Sequence, residues 1–178
     1  YMISQKDIVE QRQHYDNIAF GGWAMDLHPA DGVYSKKPPC SQFHSKGIYP
    51  IPYRCYVPKN VKNLLLAGRI ISASHVAFGS TRVMLTCAYG GQAVGTAAAM
   101  CIENDLIPRD YIDKDKISEL QQKLTEAGHF IPYIQHENGN IAESAEIAAS
   151  SNLELKGLRT FGIWKCLDLG IAQLIPCK

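Results

Sequence analysis

The sequence predicts an α/β fold, α+β within this chain taken alone, and three observations carry that expectation. Val61-Lys-Asn-Leu-Leu-Leu-Ala67 is a compact apolar run that stops at Gly68, the pattern of a buried strand. From Val83 to Ile102 twenty residues pass without a charge, rich in Ala and Gly, and this run predicts a long helix over about 86–104. Ile117, Leu120 and Leu124 then recur at helical spacing up to Gly128, a stop residue.

The remaining elements follow in chain order. Residues 1–16 open with Ile3, Ile8 and Val9 among Gln and Arg, which suits a short amphipathic helix. Residues 17–58 are rich in aromatics, prolines and glycines without a sustained period, so they read as irregular or short-stranded. Pro50 and Pro52 bar a central strand there, because proline cannot donate to a ladder. Residues 68–82 read as a loop of hydroxyls and basic groups, and Pro108 closes the long-helix unit. Beyond Glu137-Asn-Gly-Asn140 the pattern shortens to strand-like pieces, and 141–178 is read as the start of a β-rich appendage. The expected division is 1–60, 61–136 and 141–178.

Composition narrows the function classes. The 178 residues are 46% hydrophobic and 20% charged with a formal net charge of +1, a globular composition with no field to recruit nucleic acid. Six cysteines lie without a C-x-x-C pair, and His129 and His136 lack metal spacing with any Cys or Glu cluster, so no metal is expected. The G-x-S-x-G elbow of a hydrolase is absent.

The Ala/Gly helix poses a question, since Gly90, Gly91 and Gly95 each cost about 1 kcal/mol relative to Ala in a helix interior. Three readings compete. The run has the length of a membrane span and Gly91-Gln-Ala-Val-Gly95 satisfies G-x-x-x-G, yet it is only weakly hydrophobic, and no span is expected. A core helix pressed against a neighbour would need small residues. A helix whose N-terminus meets a flat or anionic ligand would also need them, because glycine lets the ligand reach the unpaired N–H groups. Neither G-x-x-x-x-G-K-[ST] nor G-x-G-x-x-G occurs in the chain.

Asn63-Leu-Leu-Leu-Ala-Gly-Arg69, Ile71-Ser-Ala-Ser-His75, Gly79-Ser-Thr-Arg-Val-Met84 and Gly91-Gln-Ala-Val-Gly-Thr-Ala-Ala-Ala99 together resemble one known block. It is the C-terminal FAD-binding segment of a family of FAD-dependent oxidoreductases whose bacterial members often carry the label xanthan lyase. Tyr49-Pro-Ile-Pro-Tyr-Arg54, Gly21-Gly-Trp-Ala-Met-Asp-Leu-His28 and Leu120 to Pro132 extend the resemblance over about 15–136. It implies the C-terminal part of a three-layer FAD/NAD(P)-binding flavoprotein fold. Residues 1–60 would then belong to a substrate-side region. The family's G-x-G-x-x-G, which cradles the FAD pyrophosphate, would lie in a remainder of the flavoprotein upstream. No paired carboxylates support the lyase label.

The resemblance also implies roles. Gly68 passes close to the ribityl chain or pyrophosphate, and Arg69 and Arg82 are charge partners for phosphate or anionic flavin. Ser72, Ser74, Ser80 and Thr86 offer hydroxyls, Thr86 as a helix N-cap. Gly91 and Gln92, in the first turns of the helix, face the flavin's pyrimidine edge. His75 is the candidate for proton transfer and His28 a weaker substrate-side one. The expected function is hydride transfer between an organic small molecule, a carbohydrate being one candidate class, and FAD. This chain by itself is expected neither to hold FAD nor to be active. The rival reading is a non-catalytic carbohydrate-handling or interaction module, suggested by the aromatic-rich stretch 15–56 and the β-like tail.

Overall fold

The computed structural model describes residues 1–135, 144–146 and 148. Helix α1 (Gln5–Glu10) is followed by four short strands, β1 (Asn17–Gly21), β2 (Met25–Leu27), β3 (Ser41–Phe43) and β4 (Tyr49–Pro52). Three helices complete the described order: α2 (His75–Thr81), α3 (Met84–Glu103) and α4 (Lys114–Glu126). The strands form two antiparallel pairs, β1 with β4 and β2 with β3, so the described residues are α+β. Three layers therefore remain an expectation. The β-rich reading of 141–178 falls almost wholly outside the described residues.

β1 pairs with β4 as Ala19↔Ile51, Phe20↔Pro50 and Gly21↔Tyr49, with a bulge between Asn17 and Ala19. Pro50 and Pro52 are tolerated because, among the described residues, this pair has no third strand on which their missing N–H groups would be felt. Residues Tyr1–Ile134 make one compact unit. Its core is built from Ile3, Ile8, Ile18, Ile51, three fully buried tyrosines (Tyr49, Tyr53, Tyr56) and the inner faces of α3 and α4.

α4 behaves as its sequence dictates. Asp113 caps it by accepting from the N–H groups of Asp115 and Lys116, and Gly128 ends it at φ +78°, a conformation that favours glycine. Ile117, Leu120 and Leu124 are buried on one face, each contributing roughly 1.5–3 kcal/mol of burial. Between them Gln121 donates to the carbonyls of Tyr15 (3.1 Å) and Asn17 (2.8 Å), so a polar side chain on the apolar face ties α4 to β1.

Two readings of 61–82 are corrected. Residues 61–67 form no strand, and Val61 and Leu64 are each 43% exposed. An apolar run becomes a strand only where neighbours satisfy its backbone, and neither two-stranded sheet takes this one in. A bond from Leu66 N–H to the Tyr56 carbonyl (2.8 Å) anchors its far end. The loop expected over 68–82 contains α2, which starts because the Ser74 hydroxyl accepts from the Ala77 N–H (3.3 Å).

α3 is the long helix expected, but it starts earlier. Its N-cap is Val83, so Thr86 lies inside the first turn, buried, and does not cap it. Gly91 and Gln92 consequently sit two turns in, not in the first turns. Thr86, Gly90, Ala93, Ala97, Met100 and Cys101 form the inner face. A Cβ on Gly90 would stand 2.5 Å from the hydroxyl of Tyr56, a ring with no room to yield. Gly91 and Gly95 have open space where a side chain would be. The three glycines thus divide, one serving the core and two facing outward. No helix among the described residues is long and apolar enough to cross a membrane.

That division is testable. Gly90→Ala should destabilise the chain by about 1–3 kcal/mol through overpacking. Gly91→Ala and Gly95→Ala should instead stabilise it by up to ~1 kcal/mol through helix propensity. Urea unfolding of the three variants reads the difference, and equal effects at all three positions would contradict the packing described.

Candidate functional site

The residues singled out from the sequence fall into two groups. The first gathers where the tight turn Gly68–Ile70 packs against α3. Gly68 holds φ +66° with open space around its Cβ position, so it makes a turn that other residues would strain to adopt. Arg69 is exposed, and its positive charge reaches the Cys87 thiol at the start of α3. Burial pushes that thiol up and the Arg69 charge opposes the shift. Gly91 lies one turn further along the same side of α3, and Gly95 a turn beyond it. Met84, Ala88, Gly91, Gly95, Ala98 and Ile102 thereby form an outward stripe at helical spacing, with Met84 87% and Ile102 83% exposed. Gln92 is exposed at its margin. Thr86 lies on the opposite, buried face.

Ser72 and His75 belong to the adjoining segment. Ser72 is fixed by its backbone, the N–H donating to the Cys55 carbonyl (2.9 Å) and the carbonyl accepting from the Ile3 N–H (3.0 Å). Ser74 gives its hydroxyl to the α2 cap, which leaves His75 exposed as the first residue of that helix.

The second group lies at the other end of α2, and here Arg82 is occupied. Its guanidinium sits 3.2 Å from the Asp26 carboxylate and 3.4 Å from the Asp26 carbonyl. His28 joins the same carboxylate through Nε2 (3.1 Å) while Nδ1 faces the Pro39 carbonyl (3.0 Å). Both neighbours are acceptors, so the ring makes both bonds only when both nitrogens carry hydrogen. Arg82 and His28 therefore work together on Asp26, a residue not singled out from the sequence. The spacing of Asp26 and His28 in β2 and just beyond it could have shown it, since i and i+2 share a strand face.

Beneath this group, Ser80 donates to the Trp23 carbonyl (2.5 Å), so its single hydrogen is used and the Tyr49 hydroxyl must be the donor to Ser80 Oγ (2.5 Å). Burial raises Tyr49 to about 12. Gly79 allows the contact, since a Cβ there would meet the Asp26 backbone at 2.8 Å. Among the described residues no cluster of His, Cys, Asp and Glu has the make-up of a metal centre.

Two histidines outside both groups are held neutral. His129 donates from Nε2 to the Ile18 carbonyl (2.7 Å), leaving buried Nδ1 without a partner in a nest with Tyr89, whose ring centroid is 4.6 Å away. Burial lowers its pKa, and it lowers that of His14 as well, against the attraction of Asp7 and Asp16. An unfolded imidazole titrates near 6.5, so below that pH the unfolded chain binds protons that the folded chain refuses. Stability should therefore fall as pH drops from about 7.5 to about 5.5. His129→Gln should remove part of the dependence, and a urea midpoint constant over this range would contradict the buried neutral rings.

The family model described as FAD dependent oxidoreductase matches residues 1–124, which run from α1 through most of α4 and include every site residue described above. No curated protein and no solved structure gives a match. With more than half of its length matched, the chain belongs to the FAD dependent oxidoreductase family, whose function is flavin-dependent redox chemistry.

Proposed function

We propose that this chain supplies part of the flavin site of an enzyme that moves a hydride between an organic substrate and FAD. The observation that carries the reading is the first group. A positive-φ glycine and an exposed arginine sit on a turn that packs against α3, and two glycines of that helix have open space where side chains would be. Those residues fit the cofactor. A flat ring system needs a surface free of side chains, and Gly91 and Gly95 provide one. A pyrophosphate or a reduced, anionic flavin needs a cation, and the Arg69 guanidinium fork suits either. Gly68 lets the backbone pass close by.

Bound FAD would supply the two-electron acceptor, and the chain's own residues would bind, orient and move a proton. Arg69 holds negative charge, Ser72 is fixed beside it by two backbone bonds, and Gln92 adds an amide at the margin of the glycine face. His75, exposed at the start of α2, is the proton-transfer residue in this reading. Arg82 takes a supporting role, since its charge is already matched by Asp26.

The exposed apolar residues of 61–67, Val61 and Leu64, and the outer stripe of α3 support a further expectation. They are where the rest of a three-layer FAD domain would pack, and the pyrophosphate fingerprint missing from these 178 residues would lie in that remainder. The small-molecule substrate belongs on the side of residues 1–60.

The protein at its natural length should be yellow and bind FAD, whereas the 178-residue chain alone should not retain it. In the natural-length protein Arg69→Ala should weaken FAD binding by roughly 10–100-fold, the worth of a charge-assisted bond. His75→Gln should bind FAD normally but slow flavin reduction by about 10²–10⁴-fold. A natural-length protein that stays colourless after refolding with FAD would rule the reading out.

A further inference from the structure

The segment 71–75 carries two of the proposed flavin-site residues, and what holds it comes from an unexpected part of the chain. Ile3, fully buried, forms a parallel bridge with Ala73: its N–H donates to the Ser72 carbonyl (3.0 Å) and its carbonyl accepts from the Ser74 N–H (2.8 Å). Ile3 is thus a one-residue strand laid along the segment that caps α2. A single bridge has little stability of its own, so something must fix residues 1–4.

Asp7 does so. Its carboxylate, 1% exposed, accepts from the Tyr1 hydroxyl (2.6 Å) through Oδ1 and from both the Ser4 N–H and the Ser4 hydroxyl (2.7 Å each) through Oδ2. The two donor residues flank Ile3, one on each side. Burial alone would raise this carboxyl, but the bonds from Tyr1 and Ser4 outweigh it, and the net shift is downward. Arg12 at 3.9 Å adds positive charge beside it, and the His14 ring lies 3.6 Å away. Arg54 lies over the Tyr1 ring, 5.1 Å from its centroid, while making two bonds to buried Asp16.

We infer that Asp7 is a positioning residue for the flavin-site segment 71–75: by gathering Tyr1 and Ser4 onto one buried carboxylate it sets Ile3 against Ser72 and Ser74, and through the Ser74 cap it fixes where α2 presents His75. The inference rests on the functional reading only in calling 71–75 a flavin-site segment. The clamp itself is a statement about backbone bonds.

Amide hydrogen exchange tests it in the whole chain without any flavin, so its outcome is independent of whether FAD binds. In Asp7→Ala the amides of Ile3 and Ser74 should exchange roughly tenfold faster or more, as expected when a buried charge-assisted anchor is lost. The Ser72 amide, bonded to Cys55 instead, and the Leu120 amide in α4 should keep their protection. Should Asp7→Ala fail to fold, the pair Tyr1→Phe and Ser4→Ala, which remove both hydroxyl donors and keep the carboxylate with its Ser4 N–H bond, should show the same local pattern to a smaller degree. Unchanged protection at Ile3 and Ser74 would overturn the inference. So would acceleration at Leu120 in step with them, because Asp7 would then serve global stability alone.

Discussion

Tyr56 is the buried ring on which α3 seats at Gly90, and most of the architecture depends on that close seat. The ring is fully buried, and of the three glycines in α3 Gly90 is the one where a Cβ would collide with it. On the backbone side, the Tyr56 carbonyl accepts from Leu66, so the same residue that seats the helix also anchors the extended run leading to Gly68. Ala93 and Ala97 continue the close approach along the inner face of α3, which packs on β1. Glycine and alanine here exchange helix propensity for proximity. The cost is about 1 kcal/mol at Gly90, and a larger residue would push α3 and the site-bearing turn beside it away from the sheet.

The buried and half-buried carboxylates follow a consistent rule. Asp16 is fully buried and meets Arg54 through two side-chain bonds and the Arg54 N–H, while Asp26 collects Arg82 and His28. Such pairs add little net stability, because desolvation offsets the attraction, but breaking one is costly. What they give is register. Each joins segments far apart in sequence, residue 16 with 54 and residue 26 with 82, and each does so beside an element that carries proposed site residues.

The helices α3 and α4 were legible because their signals are local, whereas α2 was hidden in a segment read as a loop. In α4 the cap at Asp113, the spacing of Ile117, Leu120 and Leu124 and the stop at Gly128 all lie within one short window. α3 was legible in type but displaced by a turn at its start. Val83 in extended conformation is its N-cap without side-chain help, whereas Thr86 has the chemistry of a cap without the place. The strand expected over 61–67 failed for a different reason. Strand formation depends on a neighbour that periodicity cannot reveal, and the described residues provide none. The candidate site was proposed from composition, since glycines and arginines suit a backbone approach and a charge. Asp26 as the partner of Arg82, and the threading of Ile3 beside Ser72, are long-range facts with no local trace.

Several bonds that close the unit span about a hundred residues. Tyr15 donates to the Ile112 carbonyl, Gln121 donates to the carbonyls of Tyr15 and Asn17, and His129 donates to that of Ile18. During synthesis β1 therefore leaves the ribosome long before its partners in α4 exist. At about 5–20 residues per second that interval is roughly 5–20 s. Through it the apolar residues of β1 have only a partial core to enter, with β4 to pair with and, later in the interval, α3 to cover them. The nascent chain is then at its most vulnerable to mispairing, and chaperone capture at this stage would favour the native product.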